Sequence, residues 1–392
     1  MADLKSLQSI IKEINKKYGE AVTQVGVEDI RATGTLSLGT PGLDYCLYNS
    51  LPTKRIIELS GAEGSGKTTS AFLICAGYQR REMEVNPDNP RSILYVDLEC
   101  TVDPSWASRM GYDMSETAKV PTICFRPEDM NGEEILNYVR EFLKSGEIGL
   151  IIIDSLPYLV PQQVYEESFE KKEMGGIAKL LKDFVVRITS LLIKYDCTLI
   201  GINQVRENIG GYGNPIITPG GRGWKHSCAV RLMLKKGSFF DEEGNELKSS
   251  AESPAGYIME AAVLKTKVCK WDRKVGRTYI NYTTGVDILQ DTIEVATYLG
   301  LIDNSVQGSF KVLDPDTGEV LCDEDGNEVK IRGKKNLKPY FEEHKDIWKK
   351  LYDKVYELIS KKEDPHIIAF EEMLGIENVA EHFGVDVDRE EE

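Results

Sequence analysis

One eight-residue segment constrains this chain more than any other feature. Residues 61–68 read GAEGSGKT and come directly after a short apolar run, residues 55–59. Glycines at these spacings let backbone N–H groups converge on a phosphate, and the helix that follows directs its N-terminal dipole at the same anion. A lysine at the end of such a loop reaches the β- and γ-phosphates, and the next hydroxyl can bind Mg²⁺. The segment therefore predicts a nucleotide-phosphate site between a strand and a helix.

The residues predicted to bind the nucleotide lie in this loop and in the first helical turn: Gly61, Glu63, Gly64, Ser65, Gly66, Lys67, Thr68 and Thr69. A second contribution comes from residues 150–154, LIIID, a buried strand that ends in a carboxylate. Ligands of open α/β sheets collect at the carboxyl ends of the strands. We therefore predict that Thr68 and Asp154 lie together and hold the metal. Another strand ends in VDLE at 96–99, where Glu99 could position a water molecule for attack on a phosphate.

Short apolar runs alternate with helical segments through the first half of the chain. The runs lie at residues 55–59, 92–96, 150–153 and 198–202. The clearest helical pattern spans 177–194. This alternation predicts a mostly parallel sheet with helices on both faces. Two more strand patterns, 229–234 and 257–264, surround a polar loop and would add antiparallel strands at one edge.

The two ends of the chain differ from this core. Residues 4–18 carry leucine and isoleucine at spacings of three and four, which predicts an amphipathic helix that docks on its own core or on a neighbouring subunit. After about residue 285, a helical pattern, two strand-like pieces around a turn and an amphipathic helix predict a small separate α/β domain. The last twelve residues hold six acidic side chains, so they read as an acidic tail.

Composition and charge narrow the class of protein. Hydrophobic residues make up 41% of the chain and charged residues 29%, and no apolar run reaches the roughly 20 residues of a membrane span. The N-terminus does not read as a signal peptide, and the eight scattered cysteines show no Cys-x-x-Cys pair, which favours a reducing cytoplasm. The net charge of −16 argues against non-specific nucleic-acid binding, yet residues 261–277 hold six basic side chains. The charge is therefore unevenly distributed.

Taken in order, these motifs and several others resemble the RecA family of recombinases from about residue 5 to residue 358. The matching segments are SLGTPGLD at 37–44, LPTKRI at 51–56, DLE at 97–99 with DP at 103–104, INQVR at 202–206, GNP at 213–215, GG at 220–221 with Lys225, and KTK at 265–267. The resemblance implies a RecA-like P-loop ATPase core of the α/β class, with an N-terminal polymerisation helix and a small C-terminal α/β domain. It also implies ATP and Mg²⁺ as cofactors.

The resemblance assigns roles to matched residues around the nucleotide. Glu99 would activate the attacking water, and Gln204 would contact the γ-phosphate and pass its presence to the DNA-binding loops. Asp103 and Trp106 would flank the adenine; the family usually has tyrosine at the latter position, and an indole can stack equally well.

Lys265 and Lys267 resemble a pair of lysines that reach the ATP of a neighbouring subunit. One residue separates them on a strand, so they point to the same face. Two ammonium groups on one face repel each other and gain nothing structurally unless an anion lies opposite. A solvated edge strand, where lysines discourage aggregation, is the alternative.

DNA is the ligand that the resemblance implies for two loops, at about 165–175 and 205–221. The implied contacts are Met174, Gly175, Gly176, Arg206, Gly210, Gly211, Asn214, Gly220, Gly221 and Arg222. Residues 205–223 are rich in glycine and contain two prolines, which predicts no regular element there. A mobile basic loop beside a nucleotide sensor suits a switch that a ligand orders.

These implications give a domain plan and a function. The plan is an N-terminal oligomerisation helix and linker at 1–34, an ATPase core with DNA-binding loops at 35–285, a C-terminal α/β domain at 286–378 and an acidic tail at 379–392. The implied function is that of a DNA-dependent ATPase that forms helical filaments of itself on single-stranded DNA. It would promote homologous pairing and strand exchange with double-stranded DNA in recombination and repair, in the cytoplasm and without a membrane partner.

Some positions depart from the family pattern. His226 and Ser227 replace the usual aromatic pair after Lys225, and the acidic stretch 241–243 also differs. These departures fit a divergent member and leave open whether the protein is of bacterial or phage origin.

Two other functions stay open as alternatives. A hexameric helicase on the same core is weakened by the short region before the phosphate loop. A non-catalytic DNA-binding accessory protein is weakened by the presence of the whole set of nucleotide-site residues.

Overall fold

The computed structural model describes residues 4–18, 34–166, 176–207, 216–242, 244–248, 253–322, 325–361 and 379–384. The chain divides into two compact units, Met1–Gly34 and Thr35–Glu392. The first unit contains helix α1 (Leu4–Tyr18), which confirms the helix predicted there. The division of the second unit at residues 285 and 378 stays a prediction.

The second unit is built on strands and helices that alternate along its first half. Its strands are β1 (Thr35–Leu36), β2 (Leu51–Pro52), β3 (Ile56–Gly61), β4 (Ser92–Asp97), β5 (Thr122–Phe125), β6 (Ile148–Asp154), β7 (Thr198–Gln204), β8 (Arg206–Glu207), β9 (Ile216–Ile217), β10 (Cys228–Phe240), β11 (Glu246–Leu247), β12 (Gly256–Thr266), β13 (Val275–Asn281), β14 (Gly285–Val286), β15 (Ile302–Val306), β16 (Ser309–Val312) and β17 (Lys330–Arg332). Its helices are α2 (Pro41–Asp44), α3 (Lys67–Val85), α4 (Pro104–Arg109), α5 (Gly132–Lys144), α6 (Gln162–Tyr165), α7 (Gly176–Lys194), α8 (Gly221–Ser227), α9 (Ile288–Tyr298), α10 (Leu337–Glu343), α11 (Lys345–Ile359) and α12 (Val379–Phe383).

One large sheet organises these elements. Its strand order is β14-β13-β12-β10-β3-β7-β6-β4-β5, and β11 pairs with β10. Neighbours from β10 to β5 run parallel, whereas β12, β13 and β14 continue the sheet in antiparallel pairs. This confirms the predicted α/β class, the mostly parallel sheet and the antiparallel edge. The carboxyl ends of β3, β4, β6 and β7 meet at one edge, which is where the site lies.

Two hydrophobic layers cover the sheet, one on each face. Helix α3 packs its apolar side chains, such as Phe72 and Leu73, against one face. The other face carries α5, α7 and the buried Trp224 of α8. Strand β5 and helix α5 were not predicted from the sequence. The start of α5 is nevertheless encoded locally, because Asn131 and Glu134 form a reciprocal capping box.

The last part of the chain forms a further hydrophobic cluster. Helices α9, α10 and α11 and strands β15, β16 and β17 contribute side chains such as Ile293, Val312 and Leu351. Within the segment predicted as an acidic tail, Val379 and Phe383 of α12 are buried against Met233 and Ala262 of the large sheet. In the described part of the chain, no helix is long and apolar enough to cross a membrane.

Candidate functional site

The phosphate loop connects β3 to α3, as the motif predicts. Gly64 and Gly66 adopt the left-handed conformation, with φ of 69° and 91°. A Cβ atom on Gly66 would lie 2.3 Å from the sulfur of Met259 on β12, so any other residue would have to displace that side chain as well as adopt the positive φ. The Lys67 ammonium donates to the carbonyl oxygen of Ala62 across the loop, at 2.7 Å. Burial lowers the pKa of Lys67, and the carboxylates of Asp154 and Glu99 oppose that shift.

Thr68 and Asp154 lie together, although 86 residues separate them. The Thr68 hydroxyl donates to Asp154 Oδ2 at 2.9 Å, and the Tyr95 hydroxyl donates to the same oxygen at 2.9 Å. Burial raises the pKa of Asp154 to about 6, against the effect of these two hydrogen bonds. The peptide bond from Asp154 to Ser155 is cis.

The carboxylate of Glu99 lies between the ends of β6 and β7. Its Oε1 accepts a hydrogen bond from Ser155 Oγ, and another from Gln204 Nε2 at 3.1 Å. The backbone N–H of Leu98 donates to the carbonyl oxygen of Asp154 at 2.8 Å, which fixes the end of β4 against β6. Glu99, Asp154 and Gln204 therefore converge at one edge of the sheet, at the end of the phosphate loop.

The residues of this edge fit a magnesium–nucleotide complex. The Ser65 hydroxyl is buried and has no hydrogen-bond partner among the described residues, and a Cβ atom on Gly64 would meet nothing within 4 Å, which leaves space for phosphate oxygens at that point of the loop. No group of three or more His, Cys, Asp or Glu side chains in the described chain could hold a metal by itself. Magnesium is commonly held by one or two protein oxygens together with substrate phosphates and water. Thr68 and Asp154 supply oxygens of that kind.

Asp103 and Trp106 have clear local roles beside the phosphate loop. The Asp103 carboxylate caps α4 by accepting from the N–H groups of Ser105 and Trp106. The indole N–H of Trp106 donates to the hydroxyl of Thr69 at 3.0 Å, which ties α4 to α3. The contacts that the resemblance implies between these two side chains and adenine stay a prediction.

The two predicted DNA loops lie partly outside the described residues. The predicted contacts that fall outside them are Met174, Gly175, Gly210, Gly211 and Asn214. Gly176 begins α7, and Arg206 lies exposed on β8. Gly220 and Gly221, with φ of 106° and 68°, lead into α8, whose first turn exposes Arg222.

The expectation of no regular element between residues 205 and 223 was wrong. Strands β8 and β9 pair as a short antiparallel ladder, and α8 begins at Gly221. Glycine and proline counts missed these elements because each strand has two residues and because Gly221 opens a helix whose main packing residue is Trp224.

Lys265 and Lys267 share one face, as their spacing predicts, and both have partners there. Lys265 Nζ donates to the carbonyl oxygens of Lys225 at 2.7 Å and His226 at 3.2 Å, and Lys267 Nζ donates to that of His226 at 2.8 Å. These carbonyls lie in the last turn of α8, where helix carbonyls lack helical partners. The pair therefore does have a structural function, which corrects the argument that only an anion opposite could stabilise it.

The basic side chains of residues 261–277 do not form one surface. Arg273 and Arg277 are buried. Arg273 stacks over the ring of Tyr48 at 3.6 Å, and Arg277 pairs with Glu294 at 2.7 Å. The count of charges in the sequence overstated the exposed positive charge, because two of the six basic side chains have partners in the interior.

Several residues that hold the site together carry little or no signal in the sequence. Tyr95 looked like part of a hydrophobic strand, and nothing local indicates that its hydroxyl reaches Asp154. Met259 limits the space at Gly66 from a strand that lies far along the chain. Ser155 directly follows Asp154, so its position after a buried strand was the one available signal.

This edge of the sheet combines a phosphate loop with carboxylates and a glutamine from neighbouring parallel strands. The fold and the site therefore define a P-loop protein built to bind and hydrolyse a nucleoside triphosphate.

Comparison with known proteins identifies the family. The family model described as the RecA N-terminal domain matches residues 5–287. The chain is 30% identical over 361 residues to the RecA protein of Mycoplasma mobile, covering 91% of this chain and 98% of that protein. It is 31% identical over 304 residues to that of Thermus thermophilus (77% and 83%) and 30% identical over 356 residues to that of Teredinibacter turnerae (90% and 92%). The chain belongs to the RecA family. The resemblance is thereby confirmed, and with it the class of activity, an ATP-dependent and DNA-dependent ATPase of DNA recombination and repair.

Proposed function

We propose that this protein forms a helical filament on single-stranded DNA and promotes pairing and strand exchange with homologous double-stranded DNA, using ATP and Mg²⁺. The observation that supports this most directly is the 3.1 Å hydrogen bond from Gln204 Nε2 to Glu99 Oε1. Gln204 ends β7, and β8, the first strand of the second predicted DNA loop, begins two residues later at Arg206. The residue that contacts the carboxylate suited to hydrolysis is thus only two positions from a loop suited to DNA.

Hydrolysis is assigned to side chains at the end of the phosphate loop. Lys67 binds the β- and γ-phosphates, and Thr68 and Asp154 hold Mg²⁺, which supplies positive charge against the phosphate oxygens when it is bound. Glu99 accepts a proton from the attacking water while the water oxygen bonds to the γ-phosphorus and the bond to the β–γ bridging oxygen breaks. Asp103 and Trp106 flank the adenine.

Gln204 is assigned the detection of the γ-phosphate. In the present structure its amide donates to Glu99. A γ-phosphate oxygen is a stronger, charged acceptor for the same amide N–H, so nucleotide binding would redirect Gln204 and the strand end that carries it. The loops at 165–175 and 205–221 then bind DNA, with Arg206 and Arg222 as exposed cations for phosphates.

Lys265 and Lys267 are assigned to the interface between neighbouring subunits. Each already donates to carbonyls of α8, so the last turn of that helix would move together with the lysines when a neighbour docks. Their charge would offset the charge that develops on the neighbour's γ-phosphate, as an arginine finger does. We place the protein in the cytoplasm, since its eight cysteines form no disulfide bond.

The experiment that tests this function measures ATP hydrolysis with and without single-stranded DNA, and then joint-molecule formation with homologous and heterologous duplexes. We expect DNA-stimulated hydrolysis and pairing that requires homology, with no unwinding of a forked duplex. Unwinding without homologous pairing would favour a helicase, and DNA binding without hydrolysis would favour an accessory protein.

Glu99→Gln provides the matching variant for catalysis. The amide cannot take a proton from water, so hydrolysis should fall by about 10²- to 10⁴-fold while ATP binding persists. Glu128→Gln, which changes an exposed glutamate, is the control and should retain parental activity. Hydrolysis by Glu99→Gln within a few-fold of the parent would remove Glu99 from the mechanism.

A further inference from the structure

A buried carboxylate that the hydrolysis mechanism does not use lies beneath the second DNA loop. Glu58, in the middle of β3, is fully buried. Its Oε1 accepts from Asn203 Nδ2 at 2.8 Å and from the indole N–H of Trp224 at 3.0 Å, and its Oε2 accepts from Arg231 Nε. We call Glu58, Asn203, Trp224 and Arg231 the Glu58 cluster. A charge buried at this depth persists only when it is paired and hydrogen-bonded, and this one is both.

The donors of the Glu58 cluster come from three elements that converge on the loop. Asn203 lies on β7 directly before Gln204, Trp224 lies on α8, and Arg231 lies on β10. Asn203 Nδ2 also donates to the carbonyl oxygen of Pro219 at 2.8 Å, and Arg231 Nη2 donates to the hydroxyl of Thr218 at 3.2 Å. The return segment of the loop, residues 218–224, is therefore bound to the cluster at three points.

The amide of Asn203 connects this segment to the nucleotide sensor. Its Oδ1 accepts from the backbone N–H of Gln204 at 3.0 Å, while its Nδ2 donates to Glu58 and Pro219. An amide nitrogen has two hydrogens, so both are in use. A displacement of the Gln204 backbone must therefore break one of these bonds or move Pro219 with it.

Trp224 fixes α8 against the same strand by shape. Its ring lies over the backbone of Gly201 on β7, where a Cβ atom would come within 2.5 Å of the indole Cζ2. Trp224 is fully buried, so the helix cannot tilt away without opening the layer beneath the sheet. The ring contact with β7 and the N–H bond to Glu58 on β3 together make α8 follow these two paired strands.

We propose that Glu58 and Trp224 are positioning residues for DNA-stimulated hydrolysis, because they hold the return segment 218–224 in register with Gln204. The proposal rests on the proposed assignment of the second loop to DNA. A hydrophobic cluster of similar volume would stabilise the sheet at least as well as a buried ion pair. The polar cluster adds direction, since its bonds link β3, the sensor strand β7 and β10 to Thr218, Pro219 and Trp224 of the return segment.

Two variants test the proposal in the full-length protein. Trp224→Phe keeps an aromatic ring over Gly201 and removes the N–H donor, and Glu58→Gln keeps the shape and removes the charge. The matched control is Trp271→Phe, which removes an indole N–H that donates to the carbonyl oxygen of Val263 at 2.7 Å, outside the cluster. We expect basal hydrolysis without DNA within about twofold of the parent in all three variants. Stimulation at saturating single-stranded DNA should fall about tenfold in the two cluster variants, as expected for one hydrogen bond to a charged group.

A second measurement needs no DNA. Hydrogen exchange of residues 216–224 is compared with and without a non-hydrolysable ATP analogue. Nucleotide should change the exchange of this segment in the parent and in Trp271→Phe, but not in Trp224→Phe or Glu58→Gln. Equal responses in all four proteins, or equal stimulation by DNA in Trp224→Phe and Trp271→Phe, would overturn the proposal and leave the cluster purely structural. If the parent shows the nucleotide response but no stimulation by DNA, the proposed function fails while the link to the sensor stands.

Discussion

Lys265 and Lys267 lie close enough for one charge to control the protonation of the other. Their ammonium nitrogens lie 3.2 Å and 2.8 Å from one oxygen, the carbonyl of His226, so they are no more than about 6 Å apart. Burial, followed by the charge of Lys267, lowers the pKa of Lys265 from 10.5 to about 8. Removing the Lys267 charge should therefore raise the pKa of Lys265.

The size of the rise follows from Coulomb's law. Two unit charges about 6 Å apart repel by about 0.7 kcal/mol in water and about 2.8 kcal/mol at an effective dielectric constant of 20. Lys267 is exposed and Lys265 half-buried, so screening places the pair toward the lower value. The repulsion then corresponds to about 0.5–1 pKa unit. In Lys267→Gln, the pKa of Lys265 should rise by that amount.

Pulsed acetylation at pH values between 6.5 and 10 measures the pKa of Lys265, because only the neutral amine reacts. Mass spectrometry of the peptide that contains Lys265 gives the extent of its acetylation at each pH, and the midpoint of that curve is the pKa. Lys349→Gln, which removes an exposed lysine paired with Asp353 on α11, serves as the control and should leave the midpoint unchanged. A midpoint that stays constant or falls in Lys267→Gln would refute the reasoning.

The same shift predicts how stability depends on pH. The unfolded chain holds the Lys265 proton up to about pH 10.5, while the folded chain releases it near pH 8, so the unfolded state binds more protons between these values. The contribution of Lys265 to the free energy of unfolding should therefore increase from pH 8 to pH 10.5. In Lys267→Gln this rise should begin at a higher pH, as denaturant unfolding at fixed pH values can show.

Three further predictions concern the phosphate loop and the arginine that anchors the last part of the chain. Lys67→Ala should abolish ATP binding in a titration with a fluorescent analogue, because the charge opposite the β- and γ-phosphates is lost; near-normal binding would contradict the phosphate-loop assignment. Gly66→Ala should weaken binding at least tenfold more than Gly64→Ala, since both have positive φ but only Gly66 faces Met259; equal losses would show that the contact is unimportant. Arg273→Met should lower the free energy of unfolding by about 2–4 kcal/mol, because it removes donors to the carbonyls of Tyr45 and Ile359 and the stacking on Tyr48. Lys270→Met, at an exposed position, should stay within about 0.5 kcal/mol of the parent, and a similar loss in both variants would count against that role.

The sequence by itself determined the features whose physical cause is local. The glycines and Lys67 of the phosphate loop, the apolar strand that ends at Asp154 and the helical spacing of residues 177–194 each depend on neighbours a few positions away. Their arrangement along the chain was enough to predict the α/β class and the parallel sheet. The short strand β5 and the pair β8 and β9 were missed, because two to four residues carry too little periodicity to be recognised.

Only the tertiary structure decided which side chains meet across the sheet. Glu58 and Arg231 lie 173 positions apart, and nothing near either of them indicates that their charges pair in the interior. The lysine pair found carbonyl partners at the end of α8, and two arginines of the basic segment became buried, because strand order brings those elements together. The contacts of Glu58 depend on the pairing of β3 with β7 and β10. The local pattern of a strand does not indicate with which distant strand it pairs.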